Sequence, residues 1–299
     1  MERFIVGRQF LVVLVVFVSN LMASSIEGAS VLGLPDAVND IFLATGIALI
    51  LITIMLGQLT AQVNAANCIL DFINNYFAVL TLGVSNAIEF SGLLHSSYLI
   101  QLLVAKLSGQ TIESNEPPRT GGQSLFFWIR SLGSLAVLVF SFAVTLAALF
   151  QGKTTMWDGV PNGVSVVVFF LLMSVIGLLE GMQIAFFAVA KIPASKRGDS
   201  YFAKKTCELL FKGEGRNLPG FMIGRQLCVV SCMFFVARVT SLNVDVDAGE
   251  ETLWGVSGGL QKFFNTGLLG AIITTIVASI AWQLVASAFP IDFYSNAFT

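Results

Sequence analysis

Phe4-Ile5-Val6-Gly7-Arg8-Gln9-Phe10-Leu11-Val12-Val13 and Phe221-Met222-Ile223-Gly224-Arg225-Gln226-Leu227-Cys228-Val229-Val230 are two versions of one apolar segment with an arginine and a glutamine set into it. Matched positions continue to Phe17 and Phe234, and to Ser24 and Ser241, at a constant separation of 217 residues. After four extra residues in the following loop, Thr45-Gly46, Thr53, Gln62, Ala65, Asp71-Phe72, Asn75 and Phe77 recur 221 residues later as Thr266-Gly267, Thr274, Gln283, Ala286, Asp292-Phe293, Asn296 and Phe298. Two segments in register with a single gap are an internal duplication. Arg3 and Arg8, an apolar run from Phe10 to Val18 and small residues from Ala23 to Ser25 also fit a signal peptide. The copy, however, lies deep inside the chain where no signal peptide can be, so both read as transmembrane helices.

The composition agrees. Of 299 residues, 56% are hydrophobic and 11% charged, against about 25% charged in an ordinary soluble domain, and the mean hydropathy is +0.83. Hydropathy gives seven candidate spans, near residues 5–24, 41–65, 76–104, 125–150, 163–190, 219–240 and 258–289. Net charge is −2 without a basic block, so no nucleic-acid footprint is present. Cys68, Cys207, Cys228 and Cys232 have neither metal-ligand spacing nor the density of a disulfide scaffold, and read as packing residues.

The expected fold class is an all-α polytopic membrane protein, its seven helices drawn from a ten-helix bundle of two five-span units. Residues 1–108 hold helices three to five of unit one, 109–124 form a polar linker, and 125–299 hold helices one to four of unit two with the basic loop 191–218. An odd number of spans per unit makes the repeat inverted, as in many secondary transporters with a midplane site. That expectation rests on 76–104 crossing once; two crossings or none make the units parallel. The positive-inside rule puts the basic loop in the cytoplasm, facing away from the acidic loop 241–257.

Glu180-Gly181-Met182-Gln183 interrupts an uncharged run from Gly159 to Leu179. A charge there costs at least about 2.5–3.5 kcal/mol on insertion scales, which makes it a functional candidate. Glu180 and Gln183 share a helical face, and Gly181 allows close approach of a neighbour or solute. Gly224-Arg225-Gln226 and Gly7-Arg8-Gln9 read either as arginines snorkelling to the interface or as donor pairs held by a glycine-allowed break. Their recurrence in both halves favours function, because snorkelling needs neither the Gly nor the Gln. Asp71, Asn74, Asn75 and Asp292 close their spans, where a polar interfacial cap is the plain alternative. Glu89 and His95 are weaker signals, a lone intramembrane histidine being more often a packing residue. No His-Glu-x-x-His, Gly-x-Ser-x-Gly or phosphate loop is present, which leaves no catalytic constellation and no metal centre.

The Glu-Gly-x-Gln and Gly-Arg-Gln elements, with Cys68-Ile69-Leu70-Asp71 in place of a Cys-Met-Leu-Asp motif, resemble those of diatom silicon transporters. The resemblance covers nearly the whole chain, and it implies ten spans in two five-span halves. The family's first-half Glu-Gly-x-Gln element, final spans and coiled-coil tail have no counterpart here, so the chain reads as a partial sequence. By resemblance, the intact protein takes up orthosilicic acid across the plasma membrane, coupled to sodium in marine members, with cytoplasmic termini that set 191–218 outside. That sidedness opposes the charge argument and stays open. Orthosilicic acid is uncharged and covered with hydroxyls, so its site needs paired donors and acceptors, which glutamine supplies. The expected substrate-binding residues are Gln183, Gln226, Gln9, Glu180, Arg225 and Arg8, with Gly181, Gly224 and Gly7 as motif glycines. Asp71 and Cys68 are expected in an ion or gating role, and Glu180 either holds sodium or pairs with Arg225. The expected partners are silicic acid, sodium and membrane lipid. A passive channel for small neutral polar solutes is the alternative.

Overall fold

A computed structural model describes residues 2–22, 32–112, 119–157, 159–212 and 217–295. The repeat positions Ser24, Asn296 and Phe298 lie outside these residues. Among the described residues six helices are long and apolar enough to cross a membrane, and one bent pair passes the same test jointly. The crossing helices are α1 (Glu2–Met22), α2 (Ile47–Ala65), α5 (Gly121–Gln151), α6 (Asn162–Ala190), α8 (Asn217–Thr240) and α10 (Leu268–Ala288). The bent pair is α3 (Tyr76–Ser91) with α4 (Ser96–Ser108), turned by 70°. Short helices α7 (Tyr201–Leu210), α9 (Gly258–Asn265) and α11 (Pro290–Ser295) lie at the ends of the bundle.

The duplication is written into the backbone. Gly46 and Gly267 open α2 and α10 with φ of 83° and 74°, a conformation that a side chain disfavours. Each helix then widens into a π-helical stretch at equivalent positions, Thr53–Leu59 and Thr274–Ile280. Each ends on the same kink, Cys68 at φ −127°, ψ 56° and Phe289 at φ −130°, ψ 60°. The units also exchange contacts. The ring of Phe234 on α8 fills the space a Cβ on Gly46 needs, while its counterpart Phe17 on α1 lies 3.5 Å from where a Cβ on Gly267 would stand.

These contacts fix the helix directions. Gln9 and Gln283 both reach Glu180, whereas Phe17 and Thr240 both lie against Gly270. Because Arg225 also sits at Glu180, α1 and α8 run the same way and α10 runs against both. Gln58 and Gln62 meet Gln226, and Gly46 meets Phe234, so α2 runs against α8 and parallel to α10. The two copies are therefore parallel, and the expected inversion is corrected. The reason lies in 76–104. Ser134, midway along α5, accepts a hydrogen bond from the Ser96 backbone N–H at 3.0 Å and donates to the Leu93 carbonyl at 2.6 Å, pinning the turn between α3 and α4 at mid-depth. Gln110, just past α4, then donates to Asp292 on α11 at 2.8 Å, back at the end where α2 finishes and α5 begins. The pair enters and leaves on one face. Hydropathy sees its apolar length but not its turn, which Gly92 makes at φ 80°.

The centre of the bundle is α10, with 78% of its apolar stretch buried, against 11% for α2 at the edge. Val6, Val13 and Phe17 of α1, Met173 and Ile176 of α6, Met233 and Val236 of α8 and Ile273, Ile276 and Ile280 of α10 form the main apolar cluster. Two glycines on α6 bring its neighbours in: a Cβ at Gly177 would strike the Trp282 indole, and one at Gly181 the Phe293 ring. Close backbone approach through small residues is the usual device where lipid supplies no hydrophobic contrast between helices.

The parallel arrangement predicts that cysteines placed at Asn74 and Gly109, after the native cysteines are replaced, react with an impermeant maleimide from the same side of sealed vesicles. Labelling from opposite sides restores the inverted arrangement.

Candidate functional site

Glu180 sits in the middle of α6 and its residue is 4% exposed. Its partners come from three other helices. Gln283 Nε2 on α10 donates to Oε2 at 2.8 Å, and Gln9 Nε2 on α1 reaches Oε1 at 3.5 Å. Arg225 Nη1 on α8 lies 3.4 Å from Oε2, an ion pair whose alignment falls short of a hydrogen bond for that nitrogen. Burying a carboxylate without a counter-charge is prohibitive, and burying it with one still requires its remaining lone pairs to be satisfied. The pair is net neutral, and two amides complete it.

The network continues through Arg225. Its Nη2 donates to Gln226 Oε1, the adjacent side chain, and Gln226 Nε2 donates to Gln58 Oε1 on α2. Gln62 Nε2, one turn further along α2, reaches Gln226 Oε1 at 3.3 Å. Arg8 Nη2 folds onto Gln9 Oε1 in the same way, at 3.0 Å, so the Arg-Gln dipeptide has one local geometry in both copies. Here the environments part: Arg225 is buried and Arg8 exposed. The contiguous set Gln9, Glu180, Gln283, Arg225, Gln226, Gln58 and Gln62 thus joins five helices drawn from both copies.

Several polar atoms in this centre are unspent. Gln283 Oε1 is a buried acceptor, and Arg225 Nε a buried donor, with no hydrogen-bond partner among the described residues. Leaving such groups unmade costs about 1–3 kcal/mol each, so a water or a bound guest is needed to satisfy them. Orphaned acceptor and donor beside a neutralised carboxylate suit a guest that both gives and takes hydrogen bonds and carries no charge.

Of the sequence-predicted residues, Gln9, Glu180, Arg225 and Gln226 come together. Gln183 is half-buried one turn from Glu180 and makes no hydrogen bond among the described residues. The motif glycines differ in role. Gly7 packs on the Ser85 backbone and Gly181 on Phe293, but nothing lies within 4 Å of a Cβ built on Gly224. No helix break occurs there, since α8 runs through it unbroken, which corrects the expected donor pair at a broken helix. Cys68 and Asp71 are exposed at the kink that ends α2, away from the network. Gln283, Gln62 and Gln58 are the additions. Gln62 and Gln283 were visible as matched polar residues in a repeat whose other shared positions are mostly apolar, small or terminal; Gln58 gave no such signal.

A family model described as Silicon transporter matches residues 1–299, the whole chain. No curated protein and no solved structure matches it.

Truncating Arg225 to Met strands the Glu180 carboxylate in the core and is expected to cost about 3–5 kcal/mol of stability. Adding Glu180→Gln is expected to restore most of that loss, read as unfolding temperature in detergent. Equal losses in the single and double variants would contradict the pairing.

Proposed function

This chain belongs to the silicon transporter family, and we propose that its polar centre on α1, α2, α6, α8 and α10 is where orthosilicic acid is bound and passed through the membrane. The observation that carries the reading is a buried, net-neutral Glu180–Arg225 pair with the buried amides of Gln9, Gln226 and Gln283 around it, reached from the edge helix by Gln58 and the exposed Gln62. A charged substrate would have to break into the Glu180–Arg225 pair, competing with one partner and repelled by the other. A neutral tetrahydroxy molecule meets neither penalty and can exchange hydrogen bonds with amides of both polarities. Gln283 Oε1 accepts a hydrogen bond from one of its hydroxyls, Arg225 Nε donates one to another, and the Gln183 amide one turn along α6 is placed to hold a further hydroxyl.

Sodium, the co-transported ion that the resemblance implies, has one carboxylate to use in this centre, and Arg225 occupies it. Sodium coupling then takes a specific form in this proposal. The ion and the guanidinium compete for Glu180, and the ion's arrival frees Arg225 and Gln226 to rearrange around the substrate. The passive channel differs in having no such exchange. Cys68 and Asp71, at the kink beyond α2, fit a gating role at one mouth, and the plasma membrane is the expected location.

Gln9→Ala and Gln283→Ala are each expected to reduce silicic acid uptake into proteoliposomes about tenfold, the loss of one hydrogen bond to a charged group. Replacing sodium by choline is expected to slow the wild type and leave Glu180→Gln unaffected. Uptake indifferent to both glutamine variants would refute the site, and uptake indifferent to sodium would favour the channel.

A further inference from the structure

A second buried charged cluster takes no part in this centre. Glu89 closes α3 and His95 opens α4, one on each side of the turn, and they are 7% and 3% exposed. His95 Nε2 lies 3.5 Å from Glu89 Oε1. Arg130 on α5 lies 3.9 Å from Glu89 Oε2, donates to the Glu89 backbone carbonyl, and stacks over the rings of Phe90 and Phe126. With His95 neutral the cluster carries one negative and one positive charge. A proton on His95 gives Glu89 two cationic partners, one on α5 and one on α4.

We infer that the Glu89–His95–Arg130 cluster is a proton-binding site that sets the bend of the α3–α4 pair and, through it, the polar centre. The cluster sits where this can matter, because the two helices it joins are held elsewhere by backbone contacts beside the site residues. Ser85, one turn before Glu89, packs its main chain against Gly7, two residues from Gln9. Gln101 on α4 donates to the Leu284 carbonyl at 3.0 Å, the residue after Gln283. Both glutamines that reach Glu180 are thus tied to the pair, one to each arm. At the turn itself α5 grips the backbone from both sides, Arg130 at the Glu89 carbonyl and Ser134 at Leu93 and Ser96.

Helix electrostatics oppose each other at His95. The C-terminal end of α3 attracts a cation, and the N-terminal end of α4, where His95 stands, repels one. A protonated His95 is therefore better accommodated toward α3 and Glu89, and the proposed change of bend is the movement of the start of α4 that closes this contact. Other titratable or charged groups near it among the described residues include Tyr98 on α4, its ring 5.3 Å away, and Arg119, whose guanidinium lies over Phe127, a ring 6.2 Å from His95. On α1, packed against α3, Arg8 turns to Gln9, and α10, packed against α4, carries no titratable group. The effect on transport rests on the centre being a silicic acid site, whereas the titration of His95 and the change of bend can be measured without that reading.

His95 is the single histidine of the chain, so one imidazole resonance reports it in the intact protein in nanodiscs. Its chemical shift is expected to follow pH with a single midpoint in the wild type, and Glu89→Gln is expected to alter that response. Spin labels at Gly83→Cys and Lys106→Cys, in a background without the native cysteines, are expected to change separation across the same midpoint, and His95→Gln to abolish the change. Silicic acid uptake is expected to step at that pH in the wild type and to be flat in His95→Gln. A resonance that does not titrate, or a label separation independent of pH, would overturn the inference. Titration and bending without any silicic acid uptake would instead count against the substrate and leave the proton site standing.

Discussion

A carboxylate buried inside a membrane bundle has to be neutralised and hydrogen-bonded, and in this chain the counter-charge and the donors come from three other helices. Glu180 on α6 is met by Arg225 from α8, Gln283 from α10 and Gln9 from α1. Apolar packing among these helices is non-directional and tolerates sliding, whereas one ion pair with two amide donors does not. The polar centre therefore fixes the register of the bundle as well as its chemistry. The glycines at 177 and 181 on α6 serve the same end, by letting Trp282 and Phe293 close against the helix that carries the charge.

Duplication accounts for how five helices reach one centre. Each Gly-Arg-Gln helix packs onto the positive-φ glycine that opens a helix of the other copy, Phe17 toward Gly267 and Phe234 against Gly46. Further along those partner helices, Gln283 and Gln62 meet Glu180 and Gln226. The π-helical stretches shared by α2 and α10 lie between the opening glycine and the glutamine in both cases. A π-helical turn rotates the residues beyond it relative to a regular helix, and such turns are frequent at functional positions. Here it lies on the path that carries an amide from the helix start to the centre.

Much of this was legible in the residues. The expense of a charge in a long apolar run singled out Glu180, and the recurrence of Gly-Arg-Gln singled out Arg225, Gln226 and Gln9. The helix positions emerged from hydropathy because lipid demands continuous apolar length. Two things were not legible. Apolar length does not report a turn at mid-depth, so α3 and α4 read as one crossing, and the parity of the whole repeat went with them. Nor does hydropathy separate inner from outer helices: α2 and α10 are matched copies, yet one lies at the edge and the other in the core. Gln283 and Gln62 were present among the repeat positions, but a single amide in a helix costs too little to stand out as Glu180 does.

In this account an uncharged polyhydroxy molecule docks between the glutamines around a self-neutralised Glu180–Arg225 pair. Germanic acid, the heavier congener of silicic acid, tests that most directly by anomalous diffraction from crystals of the protein. The account predicts an anomalous peak within hydrogen-bond reach of the Gln9, Gln283 and Gln226 side chains. A bound germanium elsewhere in the bundle, with that centre empty, would contradict it.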